Sequence, residues 1–484
     1  MTEELSFLSI REVGDMLRRR AIGPVELTRH ALDRLDTIGR GLNAVVTITE
    51  EIALRQARLA EEELSNGVDR GPLHGVPYGL KDVIAAAGAP TTWGAAPFQH
   101  QSFSIDATVA RRLRDAGAIL CAKLATIEIA GGMGYDHPAA SLSGATLNPW
   151  DLSRWASGSS SGPAAAVAGG VLPFAIGSDT SGSILFPAAF TGVAGLRATY
   201  GRVSRSGAMA LSWTLDRLGP ICRTAEDCGL VLEAIAGHDP ADPSSLRRPY
   251  AYSTRKPRRL GFRFGVVEGA DEGAEPEVAR NFRSSLRILE EIGTVEAISL
   301  PDFPYPEMVR TIVAAEGYAA FEDFIEAGRT AELDAAKAKV FRLASALVPA
   351  HEYIRAQRIR RIASEAFTHL ATSYDALVAP TLGIVAIAAD APFEPGLPGA
   401  SPKPLNYAGV LAGSPTISVM NGLGNGGLPS GLQFAGAILA ENAVIDAAAA
   451  FEKAAGYRSL RPSFANAPAG WKSPGRISTE ETAP

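Results

Sequence analysis

Residues 154–170 read RWASGSSSGPAAAVAGG, with Ser157, Ser159, Ser160 and Ser161 inside five positions. The stretch admits several readings. GSSSG (158–162) matches G-x-S-x-G with Ser160 at its centre, the pattern of a nucleophile elbow between a strand and a helix. The preceding NPWDLSRWA (148–156) does not read as a buried strand, which argues against the elbow. Gly162-Pro163 followed by AAAVAGG reads as a helix start, with Ser160 or Ser161 as its N-cap. A cap leaves Ser159 unexplained. A flexible linker would lack the apolar runs that flank this region.

Those runs recur through residues 70–240, where Gly, Ser, Ala and Pro crowd together and charges thin out. AGAILCAK (116–123), VLPFAIGSD (171–179) and LGPICRTAED (218–227) are short enough for buried strands, and DATVARRLRDAG (106–117) reads as a helix between them. The alternation predicts an α/β fold. Further on, GFRFGVV (261–267), DALVAPT (375–381), PTISVM (415–420) and GLQFAG (431–436) read as strands, and 276–292, 305–347 and 351–373 as helices. Residues 8–66 read as helical throughout: Leu27, Ala31, Leu35 and Ile38 form one stripe, with Pro24 at a helix start. No repeat and no sharp linker is visible. The expected organisation is a single domain over 1–465, with N-terminal helices (1–68), a core (70–240), the remaining sheet and helices (255–460), and a disordered Pro-rich tail (466–484).

Composition narrows the function. Of 484 residues, 46% are apolar and 20% charged, which is globular rather than disordered. A net charge of -6 carries no basic excess, so a nucleic-acid partner is not expected. Three cysteines, Cys121, Cys222 and Cys228, imply a reduced compartment and no disulfide framework. Seven scattered histidines and no CxxC give no metal site. The acidic, amphipathic N-terminus does not resemble a signal peptide, and no apolar run reaches the ~18 residues of a membrane span. The expected location is the cytoplasm.

Two more stretches bear on chemistry. GSDTSGSILFP (177–187) follows an apolar run; its small residues allow successive backbone N–H groups to converge on an anion or oxyanion, although taken alone the stretch fits a plain turn better. Lys81 sits among apolar and glycine neighbours in GPLHGVPYGLKDV (71–83). On the surface it would be an ordinary solvated group; buried, desolvation would lower its pKa and make it a usable base. Asp82 after Lys81 breaks the Walker pattern, which disfavours phosphate binding.

Together these stretches resemble the amidase signature family of serine hydrolases. The resemblance joins GVPYGLKDV (75–83), NPWD (148–151), SGSSSG (157–162), GSDTSGS (177–183), FPAAFTGVAGLRATYGRVS (186–204) and LGPICRTAED (218–227) in order. It continues more weakly through APT (379–381), AGSPTISV (412–419) and GLPSGLQFAG (427–436), covering roughly 5–460. It implies a large mixed β-sheet flanked by helices on both faces. It also implies a Ser–cisSer–Lys triad. Ser183 is the nucleophile, Ser159 (24 residues earlier) the bridging serine after a cis Gly158–Ser159 bond, and Lys81 the base. The oxyanion hole is implied to come from the amides of Thr180, Ser181, Gly182 and Ser183. Met133, Tyr135, Asp136 and Phe186 are candidate pocket residues, with ordinary packing as their alternative.

In this scheme neutral Lys81 draws a proton from Ser159, which draws one from Ser183, and Ser183 attacks an amide carbonyl. One departure stands out. The family often carries Arg two places after the nucleophile, where this chain has Leu185, so Asp179 loses its usual cationic partner. Leu185-Phe186 also differs from the Arg-Gln usual in the glutamine-using subunit of tRNA amidotransferases, and hints at an apolar acyl or aryl substrate. The leading expectation is therefore a free-standing amidase that cleaves a small aryl or alkyl carboxamide, without cofactor, nucleic acid or membrane and with a homodimer left open. The alternatives are the glutamine-hydrolysing component of an amidotransferase, or a carbamate or ester hydrolase with the same triad.

Overall fold

A computed structural model describes residues 3–132, 134–253, 261–335, 345–392 and 405–465. Among these, eleven strands form one mixed sheet. In sequence order they are β1 (Val45–Ile48), β2 (Pro77–Lys81), β3 (Ile119–Leu124), β6 (Phe174–Asp179), β7 (Ala194–Arg197), β8 (Arg217–Cys222), β9 (Phe262–Val267), β10 (Gly293–Ile298), β11 (Ala376–Pro380), β12 (Thr416–Leu423) and β13 (Pro429–Ala435). Their spatial order is β1-β3-β2-β6-β8-β7-β12-β13-β11-β9-β10. A separate ribbon pairs β4 (Leu147–Asn148) with β5 (Asp151–Trp155). β2 lies parallel between β3 and β6, while β8 runs antiparallel to β6.

The central strands are apolar on both faces because both faces are covered. Side chains alternate across a strand. Phe174 and Ile176 of β6 join Tyr78 and Leu80 of β2 in one buried cluster with Val13, Leu17 and Val231 from helices Ile10–Arg18 and Ala225–Ile235. Ala175 between them enters a second cluster with Ile119 and Cys121, under helices Ser161–Ala168 and Leu185–Thr191. Helices thus cover both faces, as the resemblance implies. All eight residues of helix Ser161–Ala168 are buried. Gly162 permits this, since a Cβ there would lie 2.3 Å from the Ala125 amide nitrogen and 2.6 Å from the Ala44 carbonyl oxygen.

The N-terminal expectation needs correction. Helices Ile10–Arg18, Pro24–Arg34 and Glu50–Ser65 are present, but Val45–Ile48 is a strand antiparallel to β3. Its VVTI sequence is β-branched and pairs with the sheet's outer edge, overriding the helical neighbourhood. DLSRW is likewise a strand, in the ribbon rather than the sheet. Helix Pro276–Ile292 has the expected bounds, and Ala350–Ala371 matches to within two residues at either end. The expected 305–347 helix begins as Tyr305–Ala320, breaks at Phe321 and continues as Glu322–Glu326; residues 336–344 lie outside the described residues, as does the tail from 466. All three cysteines are buried and free. No helix among the described residues is long and apolar enough to cross a membrane.

Candidate active site

Lys81 ends β2 and Asp179 ends β6, at the carboxyl ends of two adjacent parallel strands. The pairing Leu80↔Ile176 fixes the offset between them. Lys81 is 0% exposed. Its Nζ lies 2.6 Å from Ser159 Oγ and 2.8 Å from Ser178 Oγ, and 3.5 Å from the Ser178 carbonyl oxygen. The neighbouring carboxylate, Asp82, turns away to pair with the buried Lys123 at 2.8 Å and to accept the Thr92 amide at 2.9 Å. Lys81 therefore has hydroxyl neighbours rather than a counter-ion. Burial pushes its ammonium down to about 7, partly opposed by the negative charges of Asp179 and Asp216. A lysine in this state is available as a base near neutral pH.

The Gly158–Ser159 peptide bond is cis, as the resemblance implies. Ser160 occupies the N-cap position of helix Ser161–Ala168, yet its side chain caps nothing. Instead its Oγ donates to the Ser178 carbonyl at 3.0 Å and accepts the Ser178 amide at 3.3 Å. Ser161 Oγ pairs with Thr146 Oγ1 at 3.0 Å. The expected cap is thus displaced by a bond to β6, which joins the two Gly/Ser stretches directly. The Ser160 amide also donates to the Ser183 carbonyl at 3.2 Å, bringing Ser183 beside the cis bond.

Ser183 is partly exposed, on a turn between β6 and helix Leu185–Thr191. Asp179 shapes this turn: its carboxylate accepts the amides of Gly182 and Ile184, each at 2.8 Å. This corrects one expectation, since the Gly182 N–H is engaged by Asp179 and is not free for an oxyanion. The amides of Thr180, Ser181 and Ser183 make no hydrogen bond among the described residues. Asp179 does keep a cationic partner despite Leu185: buried Arg197 of β7 lies 3.2 Å away. Thr180 Oγ1 donates to Asp216 at 2.7 Å, and burial raises that carboxyl to about 6.

A cavity of about 110 Å³ opens over the turn, lined by Gly158, Thr180–Ser183, Tyr135, Phe186, Leu211 and Val313 among others. Tyr135 and Phe186 thus reach the site. Asp136 is half-buried and outside this lining, and Met133 lies outside the described residues. A second cavity of about 270 Å³ shares Ala130, Thr180 and Leu211 with the first, and is bordered by Ser178 and Asp216. Sequence reasoning missed Ser178, Arg197, Asp216 and Asn406. Ser178 and Arg197 stand inside quoted motifs, so the signal was present; Asn406, some 220 residues from Ser183, had none.

Comparison with known proteins sets this geometry in a family. The Amidase family model matches residues 26–445. A glutamyl-tRNA(Gln) amidotransferase subunit from Moorella thermoacetica is 38% identical, covering 95% of this chain and 99% of that protein. Two solved structures are also similar. The peptide amidase of Stenotrophomonas maltophilia has a TM-score of 0.81 and 31% identity, over 94% of this chain and 98% of that one. The corresponding glutamyl-tRNA(Gln) amidotransferase subunit from Thermotoga maritima has a TM-score of 0.79 and 27% identity, over 97% and 99%. The end-to-end likeness to amidotransferase subunits overturns two expectations: that of a free-standing small-carboxamide amidase, and that of partners limited to a small molecule with no nucleic acid. The Leu185-Phe186 pair, on which the expectation leaned, is two positions against identity spread over the whole length. From the motifs, the fold and this likeness together, the chain belongs to the amidase family, hydrolases that act on C–N bonds.

Proposed function

We propose that the chain is the glutamine-hydrolysing subunit of a tRNA-dependent amidotransferase, working as one amidase domain over residues 1–465. Its chemistry is carried by one observation: buried Lys81 stands 2.6 Å from Ser159 Oγ beside the turn that presents Ser183. The glutamine and tRNA assignment is supported by the relatives' names and the full-length match.

In this reading neutral Lys81 takes the Ser159 proton while Ser159 takes that of Ser183. Ser183 Oγ attacks the side-chain amide carbon of glutamine. The oxyanion is met by the free amides of the 180–183 turn, each such donor being worth about 3–4 kcal/mol in related chemistry. The C–N bond breaks, the relay returns a proton to nitrogen, and ammonia leaves. Water, activated by the same relay, cleaves the glutamyl ester to glutamate. A cytoplasmic location goes with this reading; work with tRNA and three free cysteines support it.

A second reading has its own support. The side chains lining the cavity of about 110 Å³ over Ser183 are uncharged, which fits a peptide C-terminal amide as well as free glutamine, and the Stenotrophomonas enzyme is a peptide amidase. The test is ammonia release from L-glutamine and from a panel of peptide amides, by the chain alone and with amidotransferase partner subunits. Glutamine turnover that partners stimulate upholds the first reading. Turnover of peptide amides alone replaces it with the second.

A further inference from the structure

One buried arginine grips the Ser183 turn from two sides. Arg197, on β7, is 0% exposed. Its Nη1 donates to Asp179 Oδ1 at 3.2 Å and to Asn406 Oδ1 at 2.7 Å, and its Nη2 donates to Thr416 Oγ1 at 3.2 Å. Asp179 in turn accepts the amides of Gly182 and Ile184, the residues on either side of Ser183. Asn406, on helix Leu405–Ala412, donates from Nδ2 to the Ser181 carbonyl at 2.7 Å. The guanidinium thus reaches the turn through a carboxylate on one side and a carboxamide on the other.

The charge logic explains why a cation is needed there. Asp179 is itself 0% exposed, and a buried carboxylate is tolerated only when paired and hydrogen-bonded. The residues after the turn provide no charge: Ile184, Leu185 and Phe186 pack into the apolar cluster under β6. Arg217 of β8 gives its guanidinium to the carbonyls of Ser414 and Val410 instead. Arg197 is the cation that pairs with Asp179 among the described residues. Its planar fork lets one group serve Asp179, Asn406 and Thr416 at once, which an ammonium would do less well.

We infer that Arg197 is a positioning residue for the reaction at Ser183: through Asp179 and Asn406 it sets the 181–184 turn so that the free amides of Ser181 and Ser183 meet the reacting carbonyl oxygen. The inference rests on Ser183 being the nucleophile, and on no particular substrate.

The test uses a fluorophosphonate probe, whose P=O oxygen takes the place of the oxyanion. Ser183 Oγ bonds to phosphorus, the P–F bond breaks, and fluoride leaves as the relay accepts the serine proton. Second-order labelling rates are measured on full-length wild type, R197M, R197K, N406A and S183A, with thermal unfolding alongside. R197M should label about 10²-fold more slowly, the loss expected from one misaligned oxyanion donor. R197K should recover part of that loss. N406A keeps the Arg197–Asp179 pair and should label about tenfold more slowly at near-wild-type Tm. If R197M does not fold, N406A decides. Wild-type labelling rates in the folded variants, with S183A unlabelled, overturn the role of Arg197 and leave Ser183 as nucleophile. Labelling of S183A at the wild-type rate overturns the nucleophile itself.

Discussion

Lys81, Ser159 and Ser160 make separable claims. Ser183→Ala should abolish amide hydrolysis. Lys81→Met should lower kcat by about 10²–10⁴-fold, the range for a positioned acid–base group. Ser159→Ala should cost several orders of magnitude. Ser160→Ala should cost far less in kcat, because Ser160 Oγ bonds to the backbone of Ser178 rather than to the lysine. Its loss removes the partner of the Ser178 amide and one of two partners of the Ser178 carbonyl, at about 1 kcal/mol of stability by urea unfolding. Lys81 also sets the pH dependence. Its conjugate acid lies at about 7, so kcat/KM should rise with pH through that value and level off above it. Asp216 opposes the downward shift, so Asp216→Asn should move the rise to lower pH, read from the pH–rate profile. The stability sign follows from the same shift. Between about pH 7 and the ordinary lysine value near 10 the unfolded chain holds the extra proton, so this group's contribution to stability increases with pH across that window.

At the scale of elements, close approach is the controlling quantity. Helix Ser161–Ala168 lies so near the backbone of Ala44 and Ala125 that Gly162→Ala should destabilise the protein by about 3 kcal/mol, the upper end for overpacking, with the denaturation midpoint as the measure. Sequence pattern exposed the elements whose signal was local. β3, β6 and β8 were legible as short apolar runs, and Pro276–Ile292 as a helical period. β2 was not: PYGLK contains Pro and Gly, and is a strand because β3 and β6 hold it on both sides. β1 was hidden inside helices, and β10 is a half-exposed edge with weak alternation. The site divides the same way. The candidate residues Lys81, Ser159 and Ser183 were legible as ordered motifs, whereas the Asn406 contact depends on tertiary folding alone. The Ser160 cap failed because a buried β6 backbone competed for the hydroxyl more effectively than the helix amides did.

For the whole molecule, charge bears on partnership. At a net charge of -6 the chain has little to offer a phosphate backbone. In the proposed amidotransferase reading, contact with tRNA is then expected to come mostly from partner subunits. The isolated chain should therefore bind tRNA no better than the non-specific range of about 10⁻⁴–10⁻⁶ M at physiological salt, measured by fluorescence anisotropy. A consequence of a different kind follows from the Leu80↔Ile176 pairing between β2 and β6. Side chains alternate along a strand, so slipping β2 by a single residue would carry Lys81 to the opposite face of the sheet, away from Ser159. The proposed base and relay are therefore tied to the alignment of two strands some ninety residues apart in sequence. A molecule that is nearly native but misregistered is expected to show no turnover, rather than a reduced rate. On the proposed triad, turnover would be an all-or-none readout of correct strand alignment at the centre of the sheet.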